Sequence, residues 1–349
     1  MRWIFLILLI ALGVWVYFFL EAAGVFLDIP PKALACKPIT GVVGVEDLTI
    51  DQEARVAFLS GYDRRAAFKD ENPAGAIWVL DLNAPNALPI DVSAGLVATG
   101  FQPHGISLYR APDGKKTLFV INHANKRQTV EVFDVNGATL THRGTVTGPE
   151  LVSPNDIVGV GPDAFYVTND HANPQGSWMR TAEDYLRLKM TTVQFYDGAN
   201  FSTALSGIGG SNGINVSADG KSLYLSAASE RTVHVYDRDP ATNALSERAT
   251  VPVPGFADNI EVLADGNLLL GLHSKIFDLL GHVSDPKKLA PSHIMLLKAS
   301  DKGFTPETIY YNLGDEISAA SVGASIDKRL LIGAIFDAKI LDCALEASP

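Results

Sequence analysis

From residue 55 onward the hydrophobic positions fall into short continuous runs rather than long periodic ones, and the runs come in pairs. RVAFLSG leads to AIWVLDL, TLFVINH to TVEVFDV, AFYVTND to TVQFYDG, SLYLSAA to TVHVYDR, NLLLGLH to HIMLLKA and LLIGAIF to AKILDC. β-Branched and aromatic residues fill the runs, and small or polar residues bound them, which marks them as strands. A shorter strand candidate precedes each pair: EDLTI, HGISLY, NDIVGV, NGINVS, DNIEVL and ISAASV in order. Asp-Gly turns in PDGKK, ADGK and ADGN follow several of these inner strands, as tight hairpins require. A fourth, outer strand follows most pairs, for example THRGTVTG and ALSERATVPV. The unit returns six times at a spacing of roughly 45 to 60 residues with no strong helical period inside it. That predicts an all-β fold, a six-bladed β-propeller with four-stranded blades.

The sixth unit ends three strands in, while residues 37–43, KPITGVV, are β-prone and precede the first inner strand. These residues are expected to supply the missing outer strand, so that a propeller spanning 36–343 closes on itself. Cys36 would then flank a strand that pairs with the one carrying Cys343, and the chain has no other cysteine. A Cys36–Cys343 disulfide and two free structural thiols are the alternatives, and ring closure favours the bridge.

Ahead of the repeats, Trp3 to Leu20 carries no charge and no strong helix breaker, enough for roughly 27 Å of helix at about 1.5 Å per residue. Residues 1–28 are therefore expected to form an N-terminal hydrophobic helix that anchors the chain in a membrane. Arg2 on one side and Glu21 on the other keep the N-terminus cytoplasmic and put the propeller on the exported side, periplasmic or extracellular. A cleaved signal peptide, giving a secreted protein, is the competing reading. The length of the run and the poor small-x-small site at Glu21-Ala22-Ala23 argue for retention. Of 349 residues 47% are hydrophobic, which is ample for one large core, and 28 basic against 39 acidic residues leave a net charge of -11. Without a basic run or stripe, nucleic acid is excluded as a partner.

Inner strands of a propeller line its central channel, so residues at one phase of successive inner strands converge. At that phase stand Glu46-Asp47, His104, Asn155-Asp156, Asn212 and Asp258-Asn259. All but the histidine are hard oxygen donors, the chemistry of a calcium site. Zinc or copper would ask for nitrogen or sulfur, and no cysteine is free for them. Strand alternation separates Asp47 and Asp156 from the other set, and each set then carries two carboxylates, enough to balance one of two calcium ions. Asn and Asp before strands also form local turns, so it is the coincidence of phase in several blades that points to a site.

At these residues the sequence resembles the paraoxonase/arylesterase family. VEDLTI, FQPHGIS, LFVINHA, PNDIVGVGPDAFYVTNDH, NGINVSADGKSLYLS and ADNIEV carry the resemblance, in order, over about residues 36–343. It implies a calcium-dependent hydrolase of lactones with arylesterase side activity. It also implies a catalytic calcium held by Glu46, Asn155, Asn212, Asp258 and Asn259, and a structural calcium held by Asp47, Asp156 and the carbonyl of Ile106. By the same resemblance His104 is the general base and His123 orients it, while the retained hydrophobic N-terminus and the end-to-end disulfide fit as well. The remaining histidines, at 142, 171, 234, 273, 282 and 293, are expected to be structural or exposed, with His171 close to the tunnel mouth.

Two features depart from the pattern. Gly209-Gly210-Ser211 replaces an aromatic wall before the tunnel Asn, which suggests a roomier pocket. Residues 174–190 suggest a helix starting at Thr181 with Asp184 three residues on, read as a lid, a membrane-facing surface or an ordinary capping helix. A related propeller hydrolase of sugar lactones and a calcium-stabilised propeller that only binds a ligand are the rival functions.

Overall fold

The computed structural model describes residues 2–69, 71–98 and 100–345. Among the described residues, strands between Ala35 and Ala344 form six four-stranded antiparallel sheets. Five sheets run inner to outer in chain order. In the sixth the outermost strand is Ala35–Thr40, laid antiparallel on Lys339–Ala344. The closing strand thus begins slightly earlier than KPITGVV suggests, and its register sets Cys36 opposite Cys343, which are joined by a disulfide.

The continuous apolar runs have a direct cause. Each blade is buried on both faces, so alternating side chains of one strand enter two different cores. Val56 and Phe58 pack with Leu118 and Val120 of the second blade, whereas Ala57 and Leu59 turn to Val322 and Leu331 of the sixth. Phe119 and Ile121 likewise leave Leu118 and Val120 behind and pack on Ile157, Phe165 and Val167 of the third blade. The same division repeats around the ring, giving six clusters that each belong to two neighbouring blades. Truncating the fully buried Phe58 to alanine is expected to cost about 3–5 kcal/mol.

Among the described residues four α-helices accompany the sheets: α1 (Arg2–Ala22), α2 (Arg64–Ala67), α3 (Trp178–Leu186) and α4 (Ile276–Ser284). The last three interrupt the connection from second to third strand in the first, third and fifth blades. Because Gly61, Asn169 and His273 end those second strands opposite Val45, Pro154 and Phe256, all three helices cover the end at which the inner strands begin. α3 starts earlier than the Thr181–Asp184 spacing suggests. Ser177, in extended conformation, accepts from Met179 N–H at 3.2 Å and caps it. α4 follows the strand Leu268–His273 after only Ser274 and Lys275, and a helix of nine residues so close to a strand is hard to separate by periodicity.

Candidate metal centre and active site

Every inner strand opens with a break in its ladder. Register shifts fall at Val45/Asp47, Pro103/Ile106, Pro154/Ile157, Ser211/Ile214, Ala257/Ile260 and Ala320/Val322. A bulge frees its residues from the ladder and re-aims their side chains. Glu46, His104, Asn155, Asp156, Asn212, Asp258 and Asn259 all stand in these bulges, so strict alternation does not govern them. The glycines beside them have a reason too: a Cβ at Gly213 would lie 2.2 Å from the carbonyl oxygen of Asp258 in the next blade.

Among the described residues four buried side-chain oxygens have no hydrogen-bond partner: Glu46 Oε2, Asn155 Oδ1, Asn212 Oδ1 and Asn259 Oδ1. Every one belongs to the oxygen set read from the sequence. An orphaned buried acceptor costs roughly 1–3 kcal/mol, and four of them at one channel end fit a hard divalent cation better than any neutral partner. Among the described residues no three His, Cys, Asp or Glu side chains assemble as a metal cage. The convergence is instead amide-rich, with Glu46 and Asp258 supplying the charge. Glu46 Oε1 accepts from Asn259 Nδ2 at 3.0 Å, and Asp258 Oδ2 pairs with His273 Nε2 at 2.8 Å. Burial works against ionising Glu46, but His104, Arg64 and Asn259 outweigh it and hold its carboxyl at about 2. Asp258 is pushed up by burial and by Glu46, against the pull of His273.

The two histidines expected in the mechanism are in contact. His104 Nδ1 lies 2.8 Å from His123 Nε2, and His104 Nε2 lies 3.2 Å from Glu46 Oε2. His123 Nδ1 meets Gln128 Oε1. A side-chain amide oxygen only accepts, so His123 donates from Nδ1, accepts at Nε2 and fixes His104 with its proton on Nδ1. Burial, helped by His104, lowers the His123 pKa to about 3, which keeps that ring neutral.

Asp47 and Asp156 have other surroundings. Asp47 accepts from Leu48 N–H at 2.8 Å and Ile106 N–H at 2.7 Å, and Asp156 accepts from Ile157 and Ile214 N–H, both at 2.7 Å. Each carboxylate therefore ties its own blade to the next. Ile106 reaches this group through its N–H. Burial pushes both carboxyls well above the usual range, and Glu46 raises both further, as Asp156 does for Asp47.

The family model described as Arylesterase matches residues 32–345. Serum paraoxonase/arylesterase 2 of Bos taurus is 33% identical over 325 residues, covering 89% of this chain and 88% of that protein. Serum paraoxonase/lactonase 3 of Oryctolagus cuniculus is 31% identical over 327 residues, covering 90% of each. The chain belongs to the arylesterase family. Regucalcin of Agrobacterium tumefaciens, a calcium-binding protein, has the same fold at 14% identity, with a TM-score of 0.52 over 90% of this chain and 95% of that one.

Several residues of this arylesterase-family chain join the centre without a sequence signal that singles them out. Arg64 is buried on α2, donates to Gly44 O at 2.7 Å and brings its unpartnered Nη2 to 4.0 Å from Glu46 Oε2. Gln128 carries no motif. His273, grouped above with the structural or exposed histidines, is buried against Asp258. Its position at the end of a second strand, where the second and third blades carry Asn122 and Asn169, was the available signal. Ser60 and Ser321 donate to the carbonyls of His104 and Glu46 in the adjoining blades and hold those bulges.

A cavity of about 320 Å³ lies at this end, bordered by Asp170, His171, Gly210 and Phe256 and by residues of α1, α3 and α4. Gly210 and Phe256 each stand two residues before a candidate oxygen donor, Asn212 and Asp258. Ser211, in place of an aromatic wall, is buried against the Thr191 hydroxyl at 2.7 Å. A hollow of about 420 Å³ between α1 and α3 borders Trp15, Phe18 and Lys189. His171 bridges Asp170 and Asp184 of α3 at 2.8 and 2.9 Å, and these contacts raise its pKa to about 9 against the effect of burial.

Proposed function

We propose that the protein hydrolyses lactones, with aryl esters as side substrates, in a calcium-dependent reaction at the channel end where the inner strands begin. Family membership makes it an ester hydrolase, and the observation that carries the metal assignment is the set of four orphaned oxygens on Glu46, Asn155, Asn212 and Asn259. Together with Asp258 they would hold a catalytic calcium. Asp47, Asp156 and the carbonyl of Ile106 would hold a structural one. Bound there, a divalent cation polarises the substrate carbonyl and steadies the oxyanion.

The chain's own groups do the rest. Gln128 fixes His123, and His123 Nε2 in turn accepts a hydrogen bond from His104 Nδ1–H. His104 Nε2 faces the oxygen cluster, placed to take a proton from water attacking the acyl carbon. As positive charge forms on His104, neutral His123 remains a hydrogen-bond acceptor for it. The paired histidines favour this reading over the sugar-lactone one, whose usual pattern lacks them.

α1 is long and apolar enough to cross a membrane, and the disulfide suits an oxidising compartment. The reading makes the N-terminal segment, residues 1–28, a membrane anchor through the apolar part of α1 and puts the propeller of residues 36–343 on the exported side. Its test is turnover by the detergent-solubilised full chain on a lactone panel and phenyl acetate, in calcium and in chelator. Turnover that chelator abolishes is expected. Absence of turnover on every substrate in calcium would leave a binding module and refute the hydrolase.

A further inference from the structure

The apolar helix does not end where it meets the propeller; it is built into it. Arg231 grips the Glu21 carboxylate with both terminal nitrogens at 3.0 Å. Ala22 and Ala23 are buried, and Ala23 O accepts from Ile276 N–H at 3.0 Å at the start of α4. Gly24, with φ +75°, passes so close to the fifth blade that a Cβ there would meet Ser274 O at 1.9 Å. Lys275 Nζ then donates to Leu27 O. These contacts fix the rotation of the last turns of α1 about their axis.

That rotation points one aromatic ring inward. Phe18 is 60% exposed, whereas Phe19 is half-buried. The Phe19 ring stacks 6.3 Å from Tyr185 of α3 at 16° and lies 6.1 Å from Phe277 of α4. Phe19, Ala22 and Ala23 line the 320 Å³ cavity together with Tyr185 and Phe277, and so do Gly210 and Phe256, each two residues before a candidate oxygen donor.

We infer that the last turns of α1 are the acyl-side wall of the substrate site, and that Phe19 sets the length of the apolar group that the site accepts. The inference rests on the lactone and ester reading. With the carbonyl at the oxygen cluster, an alkyl substituent extends into the cavity between Phe19, Tyr185 and Phe277. Each methylene buried there is worth about fourfold in affinity, the equivalent of ~0.8 kcal/mol at ~1.4 kcal/mol per factor of ten. The gain stops once the chain passes Phe19. Membrane helix and substrate specificity then share one residue.

The full chain in lipid nanodiscs, with empty nanodiscs as the partition blank, tests this on γ-lactones of increasing alkyl length. Phe19→Ala, Phe19→Trp and the remote control Phe5→Ala are compared, with melting temperature as the check on folding. For wild type kcat/KM should climb by about fourfold per methylene to a break. Phe19→Ala should raise KM about tenfold for the longest lactone, with an effect that shrinks as the alkyl group shortens and falls on KM more than on kcat, and Phe19→Trp should move the break to shorter chains. The matching alkyl lactams, which resist hydrolysis, give a readout by calorimetry that needs no turnover, and Phe19→Ala should weaken their binding by a similar factor. Equal behaviour of Phe19→Ala and Phe5→Ala, or a uniform fall in kcat for all lactones, overturns the inference. Phe19-dependent lactam binding without any turnover supports the wall and sinks the hydrolase; no lactam binding by wild type overturns the wall.

Discussion

Removing the Cys36–Cys343 bridge should be the most informative single perturbation of the ring, because it changes almost nothing in the folded contacts. The bridge joins residues 307 apart. In the chain-entropy model a loop of that length restricts the unfolded chain by about 6 kcal/mol at 25 °C. At about 2.1 cal/mol/K per residue over the ring, that corresponds to a fall in Tm of roughly 9 °C. The folded state keeps six ladder pairs between Ala35–Thr40 and Lys339–Ala344, so the sheet is expected to remain closed. The comparison is wild type, reduced wild type and Cys36→Ala/Cys343→Ala, followed by thermal melting and by urea titration under reversible conditions. Both altered forms should melt at lower temperature. Their m values should rise, since an unbridged chain unfolds to a more expanded ensemble. A fall of less than about 2 °C with unchanged m would refute the entropic account and show that the ladder alone closes the ring.

Other expectations concern the channel and its cover. Asn155→Ala should lower kcat by at least about a hundredfold in a protein that melts normally, whereas Asp156→Ala should lower Tm and calcium retention; a normally melting but inactive Asp156→Ala would mean that the two sites are exchanged. Asp47, Asp156 and Asp258 are raised, and Glu261 is pushed up to about 8 by burial. A raised acid favours the folded state most below its unfolded pKa of about 4 and loses that contribution as pH rises through its folded value. Chelated protein should therefore lose Tm from about pH 4 to 8 and calcium-loaded protein should not, with equal slopes refuting the cation requirement; Glu46, lowered to about 2, acts in the opposite sense and only at acidic pH. His171, raised to about 9, should hold α3 below pH 6.5 and release it as pH climbs through 9, while Asp170, lowered to about 2, should hold the same contact above 3.8 and lose it toward 2. Hydrogen exchange across Trp178–Leu186 follows this, and a flat profile would remove the clasp. Gln128→Ala should lower kcat by roughly tenfold with little change in KM, and a wild-type rate would show that His123 needs no orienting partner.

The propeller was legible because blade burial leaves a signature that local chemistry cannot blur. Residues such as Phe58 and Leu59 are both apolar because they enter two different cores. Asn155, Asn212 and Asn259, whose buried oxygens lack partners, could be grouped from the sequence because they recur at one phase. Bulges were not, since a register break changes pairing rather than composition, and this is why adjacent Asp258 and Asn259 share one environment despite strand alternation. Arg64 and Gln128 act through contacts that only the closed ring creates. The Ser177 cap escaped notice because Pro174-Gln175-Gly176 reads as loop, and α4 because only Ser274 and Lys275 part it from the preceding strand.

The closing ladder also sets a schedule. Ala35–Thr40 leaves the ribosome 307 residues before the Cys343 region that completes it. At about 5–20 residues per second this is a wait of roughly 15–60 s, during which the face of the first blade that will meet the sixth stays open. Clusters between successive blades, such as the first and second, can form as soon as both have emerged, but the one shared by the first and sixth blades cannot form until the end. Until its last strand arrives the chain therefore exposes the apolar residues Ala57 and Leu59, which only the sixth blade can cover, and exposed apolar surface of that kind favours aggregation.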